Sequence, residues 1–178
     1  MSGLLLISQA ADFAAQRHVG IRRKGKAQEP YINHLAEVAL LLADATNGED
    51  ATLVAAGWLH DTIEDTQTSR EELEREFGVE VATIVAECTD DKSLPKAERK
   101  RRQIADAASK SDRARMLKIA DKTSNVRSLL VSPPDDWERE RLIDYLDWAT
   151  KVVDQCRGLN AKLESDFDRA VAQGRSLL

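Results

Sequence analysis

A chain of 178 residues has room for one compact domain, here residues 1–178, with a core large enough to fold without staples. Its 26 Lys and Arg against 31 Asp and Glu give a net charge of −5, which disfavours wholesale binding to nucleic acid, a task that needs a basic footprint. No apolar run approaches the ~20 residues of a membrane span. The Leu4–Ile7 cluster lacks the basic flank and small-residue cleavage site of a signal peptide. Cys88 and Cys156 lie far apart without CxxC spacing, so free thiols and a cytoplasmic location are expected.

Ala, Leu, Glu, Arg and Lys dominate, and these are helix formers. Residues 2–19 form a first predicted helix, with Leu5, Ala10, Phe13, Ala14 and Arg17 near helical spacing. A charged stretch, Arg22 to Glu29, ends at Pro30, which suits the first turn of a second helix running to about Ala45. Asn47-Gly48 stops that helix. A third, from about Asp50 to Ile63, is apolar nearly all round and should be central. Thr68-Ser69 caps a short helix, and Gly78 separates it from another at 79–90. Pro95 opens a very basic helix, Lys96 to Gln103; a further helix spans about Asp112 to Leu130. Pro133-Pro134 breaks the chain before one long helix predicted from about Asp135 to beyond Leu163.

Chemistry concentrates where the third helix ends. His60 and Asp61 stand at the boundary of the most apolar segment, and burying an unpaired carboxylate there is costly. A divalent metal is one compensation, and imidazole with carboxylate suits Mn²⁺, Fe²⁺ or Zn²⁺. If the helix continues, Glu64 shares a face with His60, and Asp65 with Asp61. Metal hydrolases need such a grouping: ligands for the ion, and carboxylates to orient and deprotonate water. Asp121 and Asn125 repeat the i, i+4 relation on a partly apolar helix. Singly, each residue has a plainer reading. His34 would pass for a core histidine, and Asp121 for a carboxylate paired with Lys118 or Lys122. The ordered set His34, His60-Asp61 and Asp121 is what points to a metal.

That set resembles the signature of the HD superfamily of metal-dependent phosphohydrolases. Longer words narrow the likeness: Arg22-Arg23-Lys24, Pro30 to His34, His60 to Thr66, and Ala120 to Arg127 resemble the hydrolase domain of RelA/SpoT enzymes. The stretch Thr89 to Lys100 is similar to the stand-alone small alarmone hydrolases, including the metazoan SpoT homologue. The resemblance implies an all-α HD-domain helical bundle with at most one short β-hairpin. It implies hydrolysis of the 3′-pyrophosphate of ppGpp or pppGpp, giving pyrophosphate and GDP or GTP, with Mn²⁺ as metal. Carried over by position, His34, His60, Asp61 and Asp121 match metal ligands, and Glu64 and Asp65 match the pair that handles water, with the base unassigned between them. Arg23 and Lys24 match contacts to guanine and pyrophosphate, Asn125 a residue near the sugar, and Tyr145 an aromatic near the nucleotide. Thr123-Ser124 departs from the bulkier pair that relatives often carry there, which bears on base selectivity.

Two other readings use the same residues: a phosphohydrolase acting on another nucleotide, such as an NADPH 2′-phosphatase, or a non-catalytic nucleotide-binding module. The run Lys96–Arg102 reads as a solvated helix face or as one wall of a phosphate funnel. Trp58, Trp137 and Trp148 read as packing residues.

Overall fold

The computed structural model describes residues 2–178, and the chain there is helical, with no β-sheet among the described residues. The helices are α1 (Gly3–Arg17), α2 (Ile32–Ala45), α3 (Ala51–Leu59), α4 (Thr62–Asp65) and α5 (Arg70–Phe77). They continue as α6 (Val79–Cys88), α7 (Lys96–Ala105), α8 (Asp112–Val131), α9 (Arg139–Asp154) and α10 (Ala161–Leu177). Several starts are fixed by side chains that accept orphan backbone N–H groups. Asp50 accepts from the Leu53 N–H at 3.0 Å, Ser69 from Glu72 at 3.2 Å, and Ser111 from Ala114 at 3.3 Å. The allowance for a β-hairpin reduces to a single antiparallel bridge between Arg22 and Pro30, which pins the charged loop back on itself.

The apolar helix α3 is central: Leu53, Val54, Ala55, Ala56, Gly57 and Leu59 are all buried. Helices α1 and α2 pack along it, α6 covers another side, and α8 lies against α2, α6 and α10. Gly57 sets the approach of α2 to α3. A Cβ there would sit 2.8 Å from Leu42 Cδ1 and 3.2 Å from the Ala39 Cα. Without that Cβ, the residues after α3 come close to the first turn of α2.

Two helix boundaries differ from the sequence expectation. The helix expected over 50–63 stops at Leu59 and restarts at Thr62. The His60 ring takes the Gly57 carbonyl at 2.8 Å, the acceptor that an unbroken helix would assign to the Asp61 N–H. The helix expected from 135 to beyond 163 is two helices. Its first residues form a loop, and Gly158, at φ +94°, turns the chain. Asn160 then caps α10, its Oδ1 accepting from Lys162 and Leu163 N–H at 3.1 Å each while its Nδ2 donates to the Ala45 carbonyl at 2.9 Å. That reversal lays α10 along α8.

Of the three tryptophans, Trp58 and Trp148 pack against the core. Trp137 does not: it sits in the loop before α9 against Tyr145, with ring centroids 5.8 Å apart. Among the described residues no helix is long and apolar enough to cross a membrane.

Gly57→Ala tests the α2–α3 approach. Overpacking a tight contact costs about 1–3 kcal/mol, while the change gains about 1 kcal/mol of helix propensity. The Ala39 backbone cannot rotate aside as the Leu42 side chain can, so a net loss of about 1 kcal/mol is expected in urea denaturation. An unchanged or raised midpoint would show that the two helices tolerate separation.

Candidate metal centre and adjoining groove

His34 comes from the first turn of α2, His60 from the end of α3, Asp61 from the break that follows, and Asp121 from the middle of α8. His34 Nε2 lies 3.5 Å from Asp61 Oδ2 and 3.4 Å from Asp121 Oδ1. His60 Nε2 lies 3.0 Å from Asp61 Oδ2 and 3.8 Å from Asp121 Oδ1. One donor atom each from His34, His60 and Asp121 falls within 4.8 Å of the others. Both imidazoles are buried, and neither Nε2 makes a hydrogen bond; the close His60–Asp61 approach is misaligned for one. Two buried nitrogens without partners, facing two carboxylates, are the donor set a divalent cation would complete. The residues fit such an ion.

Surrounding groups satisfy the two carboxylates, Tyr31 and Asn125 on the oxygens that face the imidazoles and Lys122 on the outer oxygen of Asp121. Tyr31 donates its hydroxyl to Asp61 Oδ2 at 2.7 Å. Lys122 donates to Asp121 Oδ2 at 2.7 Å, and Asn125 Nδ2 donates to Asp121 Oδ1 at 2.6 Å. Burial works against ionisation of Asp61, but His60 and His34 hold its carboxyl well below the usual range. Burial opposes Asp121 too, and Lys122 with the histidines outweighs it. Asp61 and Asp121 in turn push His60 well up, against its burial. Tyr31 is raised by burial and then by Asp61.

The centre opens through a cavity of about 150 Å³ lined by His60, Asp61, Glu64, Asp90, Asp121 and Lys122. Beyond it lies a groove of about 800 Å³. Tyr31, Glu64 and Asn125 line both spaces. Glu64 Oε2 accepts the Asp90 N–H at 3.1 Å, and Arg99 Nη1 stands 3.9 Å from Oε1. Burial, followed by neighbouring carboxylates, raises the Glu64 pKa despite the Asp90 hydrogen bond. Asp65 lines the groove and pairs with Lys92 Nζ at 2.5 Å. Arg23 Nη2 donates to Asn125 Oδ1 at 2.9 Å, and Lys24 and Tyr145 also face the groove. Burial pushes the Tyr145 hydroxyl up to about 12.

The basic run of α7 divides by helical period. Lys96, Arg99 and Lys100 face the groove, whereas Arg101 and Arg102 pair with Glu98 at 2.8 and 3.0 Å on the exposed side. Three of the basic side chains thus line the groove and two lie on the solvated face.

Sequence reasoning missed Tyr31, Asp90, Lys92, Lys122 and Trp137 as parts of this region, and with them Glu37 and Ser124, which adjoin His34. Tyr31, Asp90, Lys92, Lys122 and Ser124 stood inside the words that carry the resemblance, with Lys122 read only as a partner of Asp121, whereas Glu37 and Trp137 carried no site signal. The Asp90–Glu64 and Lys92–Asp65 contacts join residues 26 and 27 positions apart, beyond the reach of any spacing rule.

A helical scaffold that sinks this donor set beneath a cationic groove has the layout of a metallohydrolase. The HD domain family matches residues 10–144, and the chain belongs to that family. It is 45% identical over 167 residues to guanosine-3′,5′-bis(diphosphate) 3′-pyrophosphohydrolase MESH1 of Xenopus tropicalis, covering 94% of this chain and 93% of that protein. The Drosophila melanogaster protein of the same name is 45% identical over 170 residues, covering 96% and 94%. A solved structure, described as a metazoan orthologue of SpoT that hydrolyses ppGpp, superposes with a TM-score of 0.90 at 44% identity, covering 97% of each chain.

Asp61 and Asp121 raise the His60 pKa, so a cation entering this centre would compete there with a proton. Affinity for a divalent ion is therefore expected to rise with pH, because the competing proton is lost as pH climbs toward the raised His60 value. Calorimetry in buffers of different ionisation enthalpy should show heats that track the buffer. Heats independent of buffer would mean that binding releases no proton.

Proposed function

We propose that this chain, residues 1–178 acting as one catalytic unit, hydrolyses ppGpp and pppGpp at the 3′-pyrophosphate, releasing pyrophosphate and GDP or GTP. The observation that carries the reading is the direct opening of a buried histidine–aspartate centre into a cationic groove of about 800 Å³. That size lies within the roughly 300–1,000 Å³ of small-molecule sites. The named activity of relatives 45% identical over nearly the whole chain supports the choice of substrate.

In this reading His34, His60, Asp61 and Asp121 hold the metal, taken to be Mn²⁺. The ion supplies Lewis acidity for the attack on phosphorus. Glu64 is the general base: its carboxylate reaches both cavity and groove, Asp90 fixes it, and burial brings its pKa closer to neutrality. Asp65, tethered by Lys92, orients the water from the groove side. Arg23 and Lys24 contact the guanine and the pyrophosphate, Asn125 lies beside the sugar, and Tyr145 packs near the nucleotide. Lys96, Arg99 and Lys100 draw in the polyanion and offset charge on the departing pyrophosphate. The nucleotide is met in the cytoplasm.

The direct test is pyrophosphate release from ppGpp by metal-stripped protein with Mn²⁺ restored, beside NADPH and GTP. Release from ppGpp alone is the expected result. Turnover of NADPH instead would keep the chemistry and discard the alarmone, and tight ppGpp binding without turnover would make the domain a binding module.

Glu64→Gln should leave Mn²⁺ affinity intact and cut kcat by about 10²–10⁴-fold. Because Glu64 must be ionised to act, activity in the parent should fall as pH drops through a value above the ordinary carboxylate range. That acid limb should vanish from the kcat profile of the variant. Persistence of the limb would assign the base elsewhere, with Asp65 the next candidate.

A further inference from the structure

We propose that Glu37 and Ser124, steadied by Arg127, form a positioning relay that fixes the tautomer and orientation of His34 for the metal. The inference rests on the metal centre proposed above and adds residues that do not touch it.

Ser124 Oγ lies 2.8 Å from His34 Nδ1 and donates to Glu37 Oε2 at 2.7 Å. A hydroxyl has one proton, and a carboxylate can only accept. The Ser124 proton is thus committed to Glu37, and its oxygen can only accept from the ring. His34 Nδ1 must carry hydrogen, which leaves the Nε2 lone pair facing Asp61 and Asp121. That nitrogen is buried and makes no hydrogen bond. The other Glu37 oxygen is held by Arg127 Nη1 at 3.1 Å. Arg127 Nη2 lies 3.8 Å from Asp166 Oδ1 on α10, and Asp166 is itself buried. A line of contacts therefore runs from α10 through α8 and α2 to the ring.

His60 reaches the same tautomer by another route. Its Nδ1 faces the Gly57 carbonyl at 2.8 Å, and a carbonyl has no proton to give. No side-chain substitution removes that acceptor. His34 has no such backbone partner. If Glu37 were lost, the Ser124 hydroxyl would be free to donate to Nδ1, which would favour hydrogen on Nε2, where a cation needs the lone pair. Residues that orient a ligand histidine in this way change metal affinity without contacting the ion.

The test is the Mn²⁺ dissociation constant of metal-stripped protein, read from the electron paramagnetic resonance signal of free Mn²⁺. Glu37→Ala, Ser124→Ala and Ser124→Thr are compared with the parent, with metal-free melting temperatures alongside. Both alanine variants should bind Mn²⁺ about 10- to 100-fold more weakly. Ser124→Thr should restore the parent value, since the hydroxyl is kept and the extra methyl can enter the cavity of about 440 Å³ that borders His34, Glu37 and Ser124. A purely structural role would instead lower the metal-free melting temperature and leave the affinity of the folded protein unchanged. Alanine variants within about twofold of the parent overturn the relay and leave the metal centre standing. Threonine binding as weakly as alanine overturns it as well. Failure of the parent to bind Mn²⁺ overturns the metal reading, and the relay with it.

Discussion

Asp61 and Asp121 each bring a carboxylate oxygen within 4 Å of the same two buried imidazoles, at a point water reaches poorly. Removing charged groups from water is expensive unless each lone pair and proton finds a partner. Much of the nearby architecture answers that demand. Lys122 satisfies the outer oxygen of Asp121, while Tyr31 and Asn125 donate to the carboxylate oxygens that face the imidazoles. Lys122, itself buried, lies over the Trp148 ring at 4.9 Å, so its charge is sheltered on both sides. What stays unmet is inward, at the two Nε2 atoms, which sets this cluster apart from a fully satisfied ion-pair cluster.

The break after α3 belongs to the same constraint. A continuous helix would keep His60 and Asp61 about 100° apart around its axis. His60 and Asp61 keep right-handed helical dihedrals across the break, yet with the His60 ring on the Gly57 carbonyl one Asp61 carboxylate oxygen comes within 3.5 Å of both imidazoles. Gly57 serves twice: its carbonyl holds the ring, and its missing Cβ admits α2, which carries His34. Glu64 then leaves the short α4 at the seam between the tight cavity and the wide groove. Arg23 and Asn125 form a second seam, since one amide accepts from a groove arginine and donates to Asp121. A group bound against Arg23 would thus be felt, through one side chain, at Asp121 Oδ1.

How much of this could be read from the sequence depended on chain distance. The helices around the centre were legible from apolar spacing, and Ser69, Gly78 and Pro95 announced three of their boundaries. His34, His60, Asp61 and Asp121 were legible as an ordered set, although spacing alone could not say that they converge. The α3 break was hidden because a His side chain competing for a backbone carbonyl leaves no compositional trace. The turn between α9 and α10 was available in Gly158 and Asn160 but was masked by the amphipathic pattern on either side. Contacts spanning dozens of residues, such as Ser124 with Glu37, 87 positions away, were beyond any local rule.

The departure at Thr123-Ser124 looked at first like a matter of base selectivity. In the fold these two side chains turn away from the groove: Thr123 Oγ1 bonds to the Ile119 carbonyl at 2.8 Å, and Ser124 sits between His34 and Glu37. Neither lines the groove, whose polar wall on α8 is made by Asn125, Ser128 and Ser132. Ser124 instead borders His34 and the separate cavity of about 440 Å³ that it shares with Arg23. The small hydroxyl residue donates to Glu37, whose other oxygen takes Arg127, with Asp166 3.8 Å behind it. One helix-facing position thus links α10 to the surroundings of His34 on α2.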